Sequence, residues 1–284
     1  MAQILSGKDV AASINAQVLE ESQRLQAAGV QPGLGILRVG ERDDDLSYER
    51  GALKRAEACG VNVSRVLLPA DCSQQELENA IRQLNADPAV HGILMFRPLP
   101  RHLDQAAAEA LLAPAKDVDG ITRGSLATVF AGSGEGYAPC TAAACMEILG
   151  HYGIDCTGKR AAVIGRSLVV GRPVAMMLMQ RNATPVICHT RTLDAPAITR
   201  QADIVIVAAG RMETIGVEYF SAGQVVIDVG IGWNEEKGKL CGDVRFDEVE
   251  PLVGAITPVP GGVGAVTTSV LMKHVVQAAT ASLG

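Results

Sequence analysis

The sequence predicts an α/β fold with two domains, both built on parallel doubly wound sheets. The chain has 284 residues, enough for two domains of ordinary size. Strand-like and helix-like segments alternate along most of it, which is the pattern of parallel sheets whose crossovers are helices. An apolar strand at 161–164 runs into a turn of small residues and then a helix start. This last feature predicts that the C-terminal domain is a Rossmann fold.

The first half of the chain alternates regularly between strand and helix patterns. Val10 and Ile14 begin an apolar series at helical spacing, and Gly29 ends that segment as a C-cap. Ser73 and Glu76 form a capping box, which predicts the start of another helix. The predicted elements are a helix at 8–28, a strand at 32–39, a polar loop at 40–45, a helix at 46–59, a strand at 61–68, a helix from 73 to about 85, and a strand at 90–96.

The second half repeats the alternation after an irregular stretch. The segment after Gly120 has no clear period, and 132–136 has the most flexible composition because three of its five residues are glycine. Thr141 is placed to cap a helix that runs to about Leu149. The remaining predicted elements are a strand at 160–164, a helix at 171–180, a strand at 184–188, a helix at 195–201, strands at 203–208 and 224–229, and a last helix at 267–279.

Charge and composition exclude several classes of protein. The chain carries 25 Lys and Arg against 31 Asp and Glu, a net charge of −6, whereas a nucleic-acid-binding face must be basic. Aromatic residues make up only 3%, too few for a platform on which bases stack. The apolar runs are far shorter than the roughly 18–20 residues that span a bilayer, and no secretory signal is visible. We therefore expect a cytoplasmic protein that binds neither nucleic acid nor a membrane.

The cysteines and histidines predict neither disulfides nor a metal site. The seven cysteines form no CxxC pair, and the five histidines show no metal-ligand spacing. Cys140, next to Thr141, has the chemistry of a nucleophile, but a buried thiol that packs as a small hydrophobic group is the favoured interpretation.

A cofactor site is predicted where the strand at 161–164 meets the following helix. Glycines in this turn let the backbone approach a pyrophosphate, and the helix N-terminus offers unpaired N–H groups and a positive dipole end. The turn is not the GxGxxG fingerprint, because a serine stands in place of the second glycine, and a plain strand-to-helix turn is the alternative. The residues expected to contact the cofactor here are Gly165, Arg166, Ser167, Val170 and Gly171.

The end of the next strand favours NADP over NAD. NAD sites usually carry Asp or Glu there, which binds the ribose 2′-hydroxyl. This chain has no acid in the corresponding run from Cys188 to Thr192. A hydroxyl and an arginine suit a 2′-phosphate, so Thr190 and Arg191 are predicted to bind it. Gly230 and Ile231, which follow the strand at 224–229, are predicted to lie near the nicotinamide ribose.

Two regions of the first domain are candidates for the substrate side. Asp117 and Asp119 flank Val118, and a carboxylate there can accept paired N–H donors from a planar heterocycle or cap a helix or turn. Tyr48 lies on the predicted helix at 46–59, where it contacts either a substrate or the rest of the domain. The residue patterns leave both alternatives open at each position.

These motifs together resemble the FolD family, the methylenetetrahydrofolate dehydrogenases that are often also methenyltetrahydrofolate cyclohydrolases. The resemblance covers nearly the whole chain, with its motifs in one order. The motifs are Val39-Gly40 followed by Tyr48, Gly92-Ile93-Leu94, Pro98-Leu99-Pro100, Lys116-Asp117-Val118-Asp119-Gly120, Pro139-Cys140-Thr141, the turn at 165–173, Asp228-Val229-Gly230-Ile231, Gly242-Asp243-Val244, and the run from Thr257 to Gly264.

The resemblance implies a homodimer that oxidises 5,10-methylenetetrahydrofolate with NADP in one-carbon metabolism. It implies a folate-facing catalytic domain at 1–145, a Rossmann domain at 146–261, and a C-terminal helix at 262–284 that returns to the first domain. The folate is expected in the cleft between the domains. Tyr48 and Asp119 are the implied catalytic residues, Asp119 as acceptor for the pterin N–H groups. The implied substrate-binding residues are Tyr48, Pro98, Leu99, Asp119, Thr141, Pro260, Gly261 and Gly262.

The sequence departs from the family pattern at three places on the substrate side. The family's lysine, four residues after the tyrosine, is Ala52 here, and Lys54 lies on another face of the helix. The family's glutamine before Pro-Leu-Pro is Phe96. The family's His-Pro-x-Asn-x-Gly stretch is shortened to 121–124 and lacks those polar groups.

These departures affect the two reactions of the family unequally. Removal of hydride from the methylene carbon mainly needs orientation against the nicotinamide and no base. Hydrolysis of the methenyl product needs an activated water and a protonated nitrogen, which is work for positioned acid–base groups. We therefore expect the dehydrogenase to be kept and the cyclohydrolase to be weak or lost. Three alternatives stay open: a bifunctional enzyme that uses Arg55 or Arg97, an NADP-dependent oxidoreductase with another substrate, and a catalytically silent binding protein.

Overall fold

The computed structural model describes residues 1–283, and their backbone divides into two compact units. The three-stranded unit contains residues 13–140 and the chain from Thr268 onward. The six-stranded unit contains residues 1–12 and 141–267. The α/β class with parallel sheets that the sequence predicts is confirmed.

The strands and helices follow one another in alternation. The strands are β1 (Gln3–Ile4), β2 (Gly33–Val39), β3 (Asn62–Leu68), β4 (Gly92–Met95), β5 (Arg160–Ile164), β6 (Thr184–Cys188), β7 (Ile204–Val207), β8 (Val225–Asp228), β9 (Gly232–Asn234), β10 (Lys239–Cys241) and β11 (Ala255–Ile256). The helices are α1 (Gly7–Ala27), α2 (Asp43–Ala58), α3 (Gln74–Ala86), α4 (Gln105–Leu111), α5 (Arg123–Ala131), α6 (Cys140–His151), α7 (Gly171–Gln180), α8 (Ala195–Thr199), α9 (Phe246–Val249) and α10 (Thr267–Ala281).

The sheet of the three-stranded unit has the order β3-β2-β4, with both pairs parallel. The central strand β2 is buried along its whole length, as expected for a strand covered on both faces. Leu37 pairs with Val66 on one side and Met95 on the other, and Ile81 of α3 packs in the same core. Because all three strands run the same way, Gly40 and Phe96 follow strand ends at one edge of the sheet.

The sheet of the six-stranded unit has the order β1-β11-β8-β7-β5-β6, and every pair in it is parallel. Strands β9 and β10 form a separate antiparallel pair. The central strands β5 and β7 are apolar runs whose interior residues are buried, such as Val163 and Val205. The segments that follow β5, β6, β7 and β8 therefore leave the sheet at the same edge, which is where ligands bind in open α/β sheets.

Helix starts follow the sequence signals closely. Ser73 accepts the Glu76 N–H through its hydroxyl, and Glu76 accepts the Ser73 N–H in return, so the predicted capping box is formed. The predicted helix at 171–180 and strand at 184–188 have the observed bounds of α7 and β6.

Three local predictions differ from the structure. The polar loop predicted at 40–45 is shorter, because α2 already begins at Asp43, where acidic side chains favour a helix N-terminus. The stretch after Gly120 is helical rather than irregular, since Thr122 caps α5 by accepting the Ser125 N–H at 3.1 Å. Helix α6 begins at Cys140, so Thr141 lies in its first turn and is not the cap.

The first twelve residues lie in the six-stranded unit, whereas the sequence grouped them with 1–145. The reason is β1, whose Gln3 and Ile4 pair with Ala255 and Ile256 of β11. A two-residue strand has too little periodicity to be detected in the sequence.

Within residues 1–283, no helix is long and apolar enough to cross a membrane.

Candidate active site

The turn between β5 and α7 is closed by two glycines that no other residue could replace without movement. Gly165 has a φ of +120°, and a Cβ there would lie 2.2 Å from the carbonyl oxygen of Ala208. A Cβ on Gly171 would lie 2.1 Å from the carbonyl oxygen of Gly165. The missing side chains let main chain from β5, β7 and α7 meet closely, as a phosphate-binding turn requires.

Polar contacts inside the same turn fix its shape. Ser167 accepts the Val170 N–H through Oγ at 3.1 Å, and its carbonyl accepts the Arg172 N–H at 3.1 Å. The Val170 N–H is therefore bonded within the turn, although the sequence placed Val170 among the cofactor contacts. Residues 166–169 are exposed, and the turn lies at the N-terminus of α7, the positive end of that helix.

A cavity of about 430 Å³ opens beside this turn. It is lined by the predicted residues Gly165, Arg166, Ser167 and Thr190, together with Ile164, Cys188, His189, Ala195, Ala208, Ala209, Arg211, Thr214, Ile215 and Tyr219. Arg211, Thr214 and Tyr219 were not predicted from the sequence. The rule that ligands meet the carboxyl ends of parallel strands identifies Arg211, because it follows β7 closely.

The cavity is basic. In the part of the chain that the structure describes, none of Arg166, Arg191 and Arg211 forms an ion pair. Arg191 is exposed in the turn after β6, where its N–H donates to Nδ1 of His189 at 3.1 Å. Guanidinium groups outside ion pairs, a glycine turn and a helix N-terminus fit the phosphates of a dinucleotide.

The segment after β8 is held by a buried carboxylate. Asp228 accepts the N–H groups of Gly230, Asp243 and Val244 at 3.0, 3.2 and 3.0 Å. Burial raises the pKa of Asp228 to about 7. A Cβ on Gly230 would lie 2.3 Å from Asp243, so this glycine is needed for packing, whereas Ile231 is 61% exposed.

The run from Pro258 to Gly262 packs against the start of α1. The Gly7 N–H donates to the Gly261 carbonyl at 2.8 Å, and a Cβ on Gly7 would lie 2.0 Å from the Gly262 carbonyl oxygen. Pro260 is exposed and Gly262 is buried. Together with half-buried Thr141, these predicted substrate-binding residues belong to the six-stranded unit.

In the three-stranded unit, the two neighbouring aspartates have different surroundings. Asp117 is fully buried and accepts three hydrogen bonds, from the N–H of Ile121 at 3.0 Å, the N–H of Thr122 at 2.7 Å, and the Ser125 hydroxyl at 2.6 Å. These partners are the loop and first turn of α5. Asp117 is therefore the structural carboxylate, the capping role that the sequence left open.

Asp119 is the carboxylate with an open side. Its side chain is 24% exposed, and Arg97 Nη2 lies 4.0 Å from its Oδ2. Burial raises the pKa of Asp119 to about 6, against the charge of Arg97, which lowers it. A partly open carboxylate with a raised pKa is typical of functional sites.

The thiol of Cys140 contacts the Asp119 carboxylate. Its thiol lies between the Asp119 carboxylate and the Val118 carbonyl, with Sγ 3.3 Å from that oxygen. Nδ1 of His274 is 2.8 Å from the same carbonyl oxygen. Burial raises the pKa of Cys140 well above its usual range, so the group is a neutral thiol, in agreement with the packing role preferred from the sequence.

Tyr48 stands on α2 with its ring against Phe96. The two ring centroids are 5.9 Å apart in an edge-to-face arrangement. Ala52, one turn further along α2, is fully buried. Of the other residues predicted to bind substrate, Pro98 is exposed and Leu99 packs in the core at 9% exposure.

The cations near α2 lie in different places. Arg38 of β2 pairs with Glu49 at 2.7 Å, both side chains being 5% exposed, so its charge is neutralised. Burial raises the pKa of Cys59, and the charge of nearby Arg55 opposes that rise. Lys54 is exposed. Arg97, the other cation that the bifunctional alternative names, lies beside Asp119.

Comparison with known proteins agrees with both halves of this description. Residues 5–119 match the family model "Tetrahydrofolate dehydrogenase/cyclohydrolase, catalytic domain", and residues 139–283 match the "Tetrahydrofolate dehydrogenase/cyclohydrolase, NAD(P)-binding domain". The "Bifunctional protein FolD" of Carboxydothermus hydrogenoformans is 50% identical over 98% of this chain and 97% of its own length. That of Clostridioides difficile is 46% identical over 97% of this chain and 96% of its own length.

Solved structures agree as well. The FolD dehydrogenase/cyclohydrolase of Campylobacter jejuni superimposes with a TM-score of 0.96 at 38% identity, covering 99% of this chain and 100% of that one. The Trypanosoma brucei FolD complexed with NADP cofactor and inhibitor has a TM-score of 0.92 at 37% identity, covering 99% and 98%. The chain therefore belongs to the tetrahydrofolate dehydrogenase/cyclohydrolase family, the FolD family.

Proposed function

We propose that this protein oxidises 5,10-methylenetetrahydrofolate to 5,10-methenyltetrahydrofolate with NADP, as an enzyme of one-carbon metabolism. The observation that carries the proposal is the basic cavity beside the glycine turn after β5, in a chain that matches the family along nearly its whole length. Relatives named bifunctional FolD and a FolD structure with NADP support the same reaction.

Five residues of this chain suit NADP. Gly165 and Gly171 allow the pyrophosphate to approach the backbone, and Arg166 neutralises phosphate charge. Thr190 and Arg191 stand where an NAD enzyme has an acid and bind the 2′-phosphate. The chemistry that NADP supplies when bound is acceptance of a hydride at its nicotinamide ring.

The substrate side orients the folate. Asp119 accepts hydrogen bonds from the 2-amino group and the ring N–H of the pterin. This role suits a carboxylate that is open on one side and is held by Cys140 on the other. Tyr48 packs against the ligand near the reacting carbon, held by its contact with Phe96. Hydride loss leaves a cation shared by two nitrogens and releases no proton, so orientation is the main requirement.

The cyclohydrolase reaction is weak in this protein. Ala52 and Phe96 replace a lysine and a glutamine of the family pattern, and neither replacement can move a proton. Arg97 remains near Asp119, but a guanidinium stays protonated and is a poor proton shuttle.

A single assay tests both parts of this proposal. Purified protein is mixed with 5,10-methylenetetrahydrofolate and either NADP or NAD, and the absorbances of the reduced nicotinamide and of the methenyl product are followed together. We expect equal amounts of the two with NADP, followed by decay of the methenyl form at the rate seen without enzyme. No reduction with either cofactor would refute the dehydrogenase. Faster decay would refute the loss of cyclohydrolase.

Restoring the two family residues tests the reason for that loss. We expect the double variant A52K/F96Q to hydrolyse the methenyl form about tenfold faster than the original protein, a small part of the range for well-placed acid–base groups. The gain is limited because a lysine introduced at position 52 would be buried within a helical turn of Glu49, which already binds Arg38 and Arg65.

The matched control is G51K, which adds the same charge at the neighbouring position, where a side chain meets open space. Methenyl hydrolysis should stay at the original level in this control. A folded A52K/F96Q variant with normal dehydrogenase and no gain would contradict the proposal.

We also infer that the protein is a homodimer and works in the cytoplasm. All seven cysteines are buried free thiols, the state expected in a reducing compartment. The homodimer rests on the family resemblance, and sedimentation equilibrium tests it.

A further inference from the structure

Arg97 is held by contacts of its own. Its Nη1 lies 3.2 Å from Oε1 of Glu109, and that oxygen also accepts from Gln105 Nε2 at 2.8 Å. Gln105 in turn accepts the Leu99 N–H at 3.2 Å. One end of the guanidinium is thus anchored to α4, and the Nη2 end extends towards Asp119.

The approach of Arg97 to Asp119 leaves both groups available to a ligand. The 4.0 Å between Nη2 and Oδ2 exceeds a hydrogen-bond distance, so the carboxylate oxygen is not occupied by Arg97. The two side chains are 23% and 24% exposed, so each keeps an open side. The pair therefore presents an N–H donor next to a carboxylate acceptor.

A pterin edge has the complementary order of groups. Its 2-amino group and N3–H are donors, and the oxygen at C4, next to N3, is an acceptor. If the N3–H donates to Oδ2, the oxygen that Arg97 approaches, the neighbouring C4 oxygen lies on the side from which Arg97 Nη2 can donate. Charged donors and acceptors in such arrays discriminate strongly, because a mismatched ligand leaves a partly buried charge unsatisfied.

We infer that Arg97 is a specificity residue that recognises the C4 oxygen of the pterin ring by donating from Nη2, side by side with Asp119. This inference rests on the proposed function, since it takes the reduced folate as the substrate. The hydrogen bond from Arg97 selects 4-oxo over 4-amino pteridines. An apolar residue at position 97 could not make it.

The test compares binding of tetrahydrofolate with that of its 4-amino counterpart, tetrahydroaminopterin, by calorimetry on the full chain. In the second ligand an amino donor replaces the oxygen and faces the guanidinium, and N3 carries no hydrogen, so Asp119 loses one donor as well. We expect the original protein to prefer tetrahydrofolate by more than about 100-fold, because Arg97 and Asp119 each lose a hydrogen bond that contributes about 10- to 100-fold. In R97L the preference should fall by about 10- to 100-fold, mainly through weaker binding of tetrahydrofolate, and the contribution of N3–H and Asp119 should remain.

Two further variants serve as controls for the role of Arg97. R101L removes the same charge from an exposed position in the same loop and should leave the preference unchanged. R97K keeps the charge but not the forked donor geometry that spans Glu109 and the ligand, so its preference should lie between those of R97L and the original protein. If R97L does not fold, R97K carries the test, and an unchanged preference in it overturns the inference.

The dependence of binding on pH gives a second readout. Charged or titratable groups beside Asp119 are Arg97, Asp117 and Cys140, and only Arg97 lowers the pKa of this carboxyl by its charge. Because the ligand needs the ionised carboxylate, the affinity falls as the pH drops through the pKa of Asp119. In R97L that fall should begin at a higher pH than in the original protein, and R101L should not move it.

The outcomes separate this inference from the proposed function. If the protein dehydrogenates methylenetetrahydrofolate but R97L loses affinity equally for both ligands, the role of Arg97 is overturned and the proposed function stands. A protein that binds tetrahydrofolate no better than its 4-amino counterpart does the same. Absence of both dehydrogenation and folate binding overturns the proposed function and this inference with it.

Discussion

The turn after β5 and the surroundings of Asp119 differ in the kind of atom that shapes them. In the turn, two glycines bring main chain within about 2 Å of where a Cβ would stand, and main-chain hydrogen bonds close the loop. Around Asp119, side chains shape the site, with Arg97 on one side of the carboxylate and the Cys140 thiol on the other. Main-chain sites keep their shape when neighbouring side chains change, whereas single substitutions alter a side-chain site.

The departures from the family pattern follow this difference. Ala52, Phe96 and the shortened stretch at 121–124 all lie in the three-stranded unit, and the glycine turn after β5 carries none of comparable chemical weight. The three departures are thus grouped in the unit that carries Asp119, and the glycine turn belongs to the other unit.

The largest effect is expected from a single methyl group in the glycine turn. G165A places a Cβ 2.2 Å from the Ala208 carbonyl at a φ of +120°, so the turn must open. We expect NADP affinity to fall by about 100-fold or more, measured by calorimetry. The control G158A also has a positive φ, +71°, but its Cβ meets open space, so it should cost only about 1 kcal/mol of stability. Equal losses of NADP affinity in both variants would contradict a role for close packing.

The two neighbouring aspartates should separate substrate binding from stability. D119N replaces a charged acceptor by an amide, and we expect kcat/KM for methylenetetrahydrofolate to fall by about 30- to 100-fold with NADP affinity unchanged. D117N instead disturbs the hydrogen bonds to Ile121, Thr122 and Ser125, so the free energy of unfolding should fall by about 2–4 kcal/mol. Kinetics and denaturant unfolding on both variants test this, and the reverse pattern would exchange their roles.

The smallest effect is expected at the edge of the dinucleotide cavity. Arg191 is exposed, so its charge is partly screened by solvent. We expect R191S to lower kcat/KM with NADP by about tenfold and to leave the value with NAD unchanged. R160S, at an exposed position at the start of β5, is the charge-matched control. Equal losses with NADP and NAD would remove Arg191 from recognition of the 2′-phosphate.

Much of the fold could be predicted from the sequence because its signals are local. Gly171 and an apolar period that ends where polar residues begin predict the bounds of α7. The capping box formed by Ser73 and Glu76 predicts the start of α3. Strand β1 could not be predicted, because the strand that it pairs with, β11, is far away in sequence. Helix α5 was missed since its cap, Thr122, is itself oriented by the buried Asp117.

The candidate site was predictable where it depends on main chain and only partly where it depends on side chains. Gly165 and Gly171 follow from the strand–turn–helix pattern alone. Asp117 and Asp119 are two residues apart, and the sequence cannot tell which one meets the N–H groups of α5. Neither the contact of Arg97 with Asp119 nor the place of Tyr219 in the cavity has a local signal, because each joins segments that only the fold brings together.

The pairing of β1 with β11 determines when the six-stranded sheet can be completed during synthesis. Gln3 leaves the ribosome before its partner Ala255 has been added, because the two are far apart in sequence. At about 5–20 residues per second, the first strand waits for roughly 10–50 s without its place in the sheet. The β1 edge of this sheet can thus form only after β11 has been made. A substitution in β1 therefore acts on a late step in the assembly of the sheet.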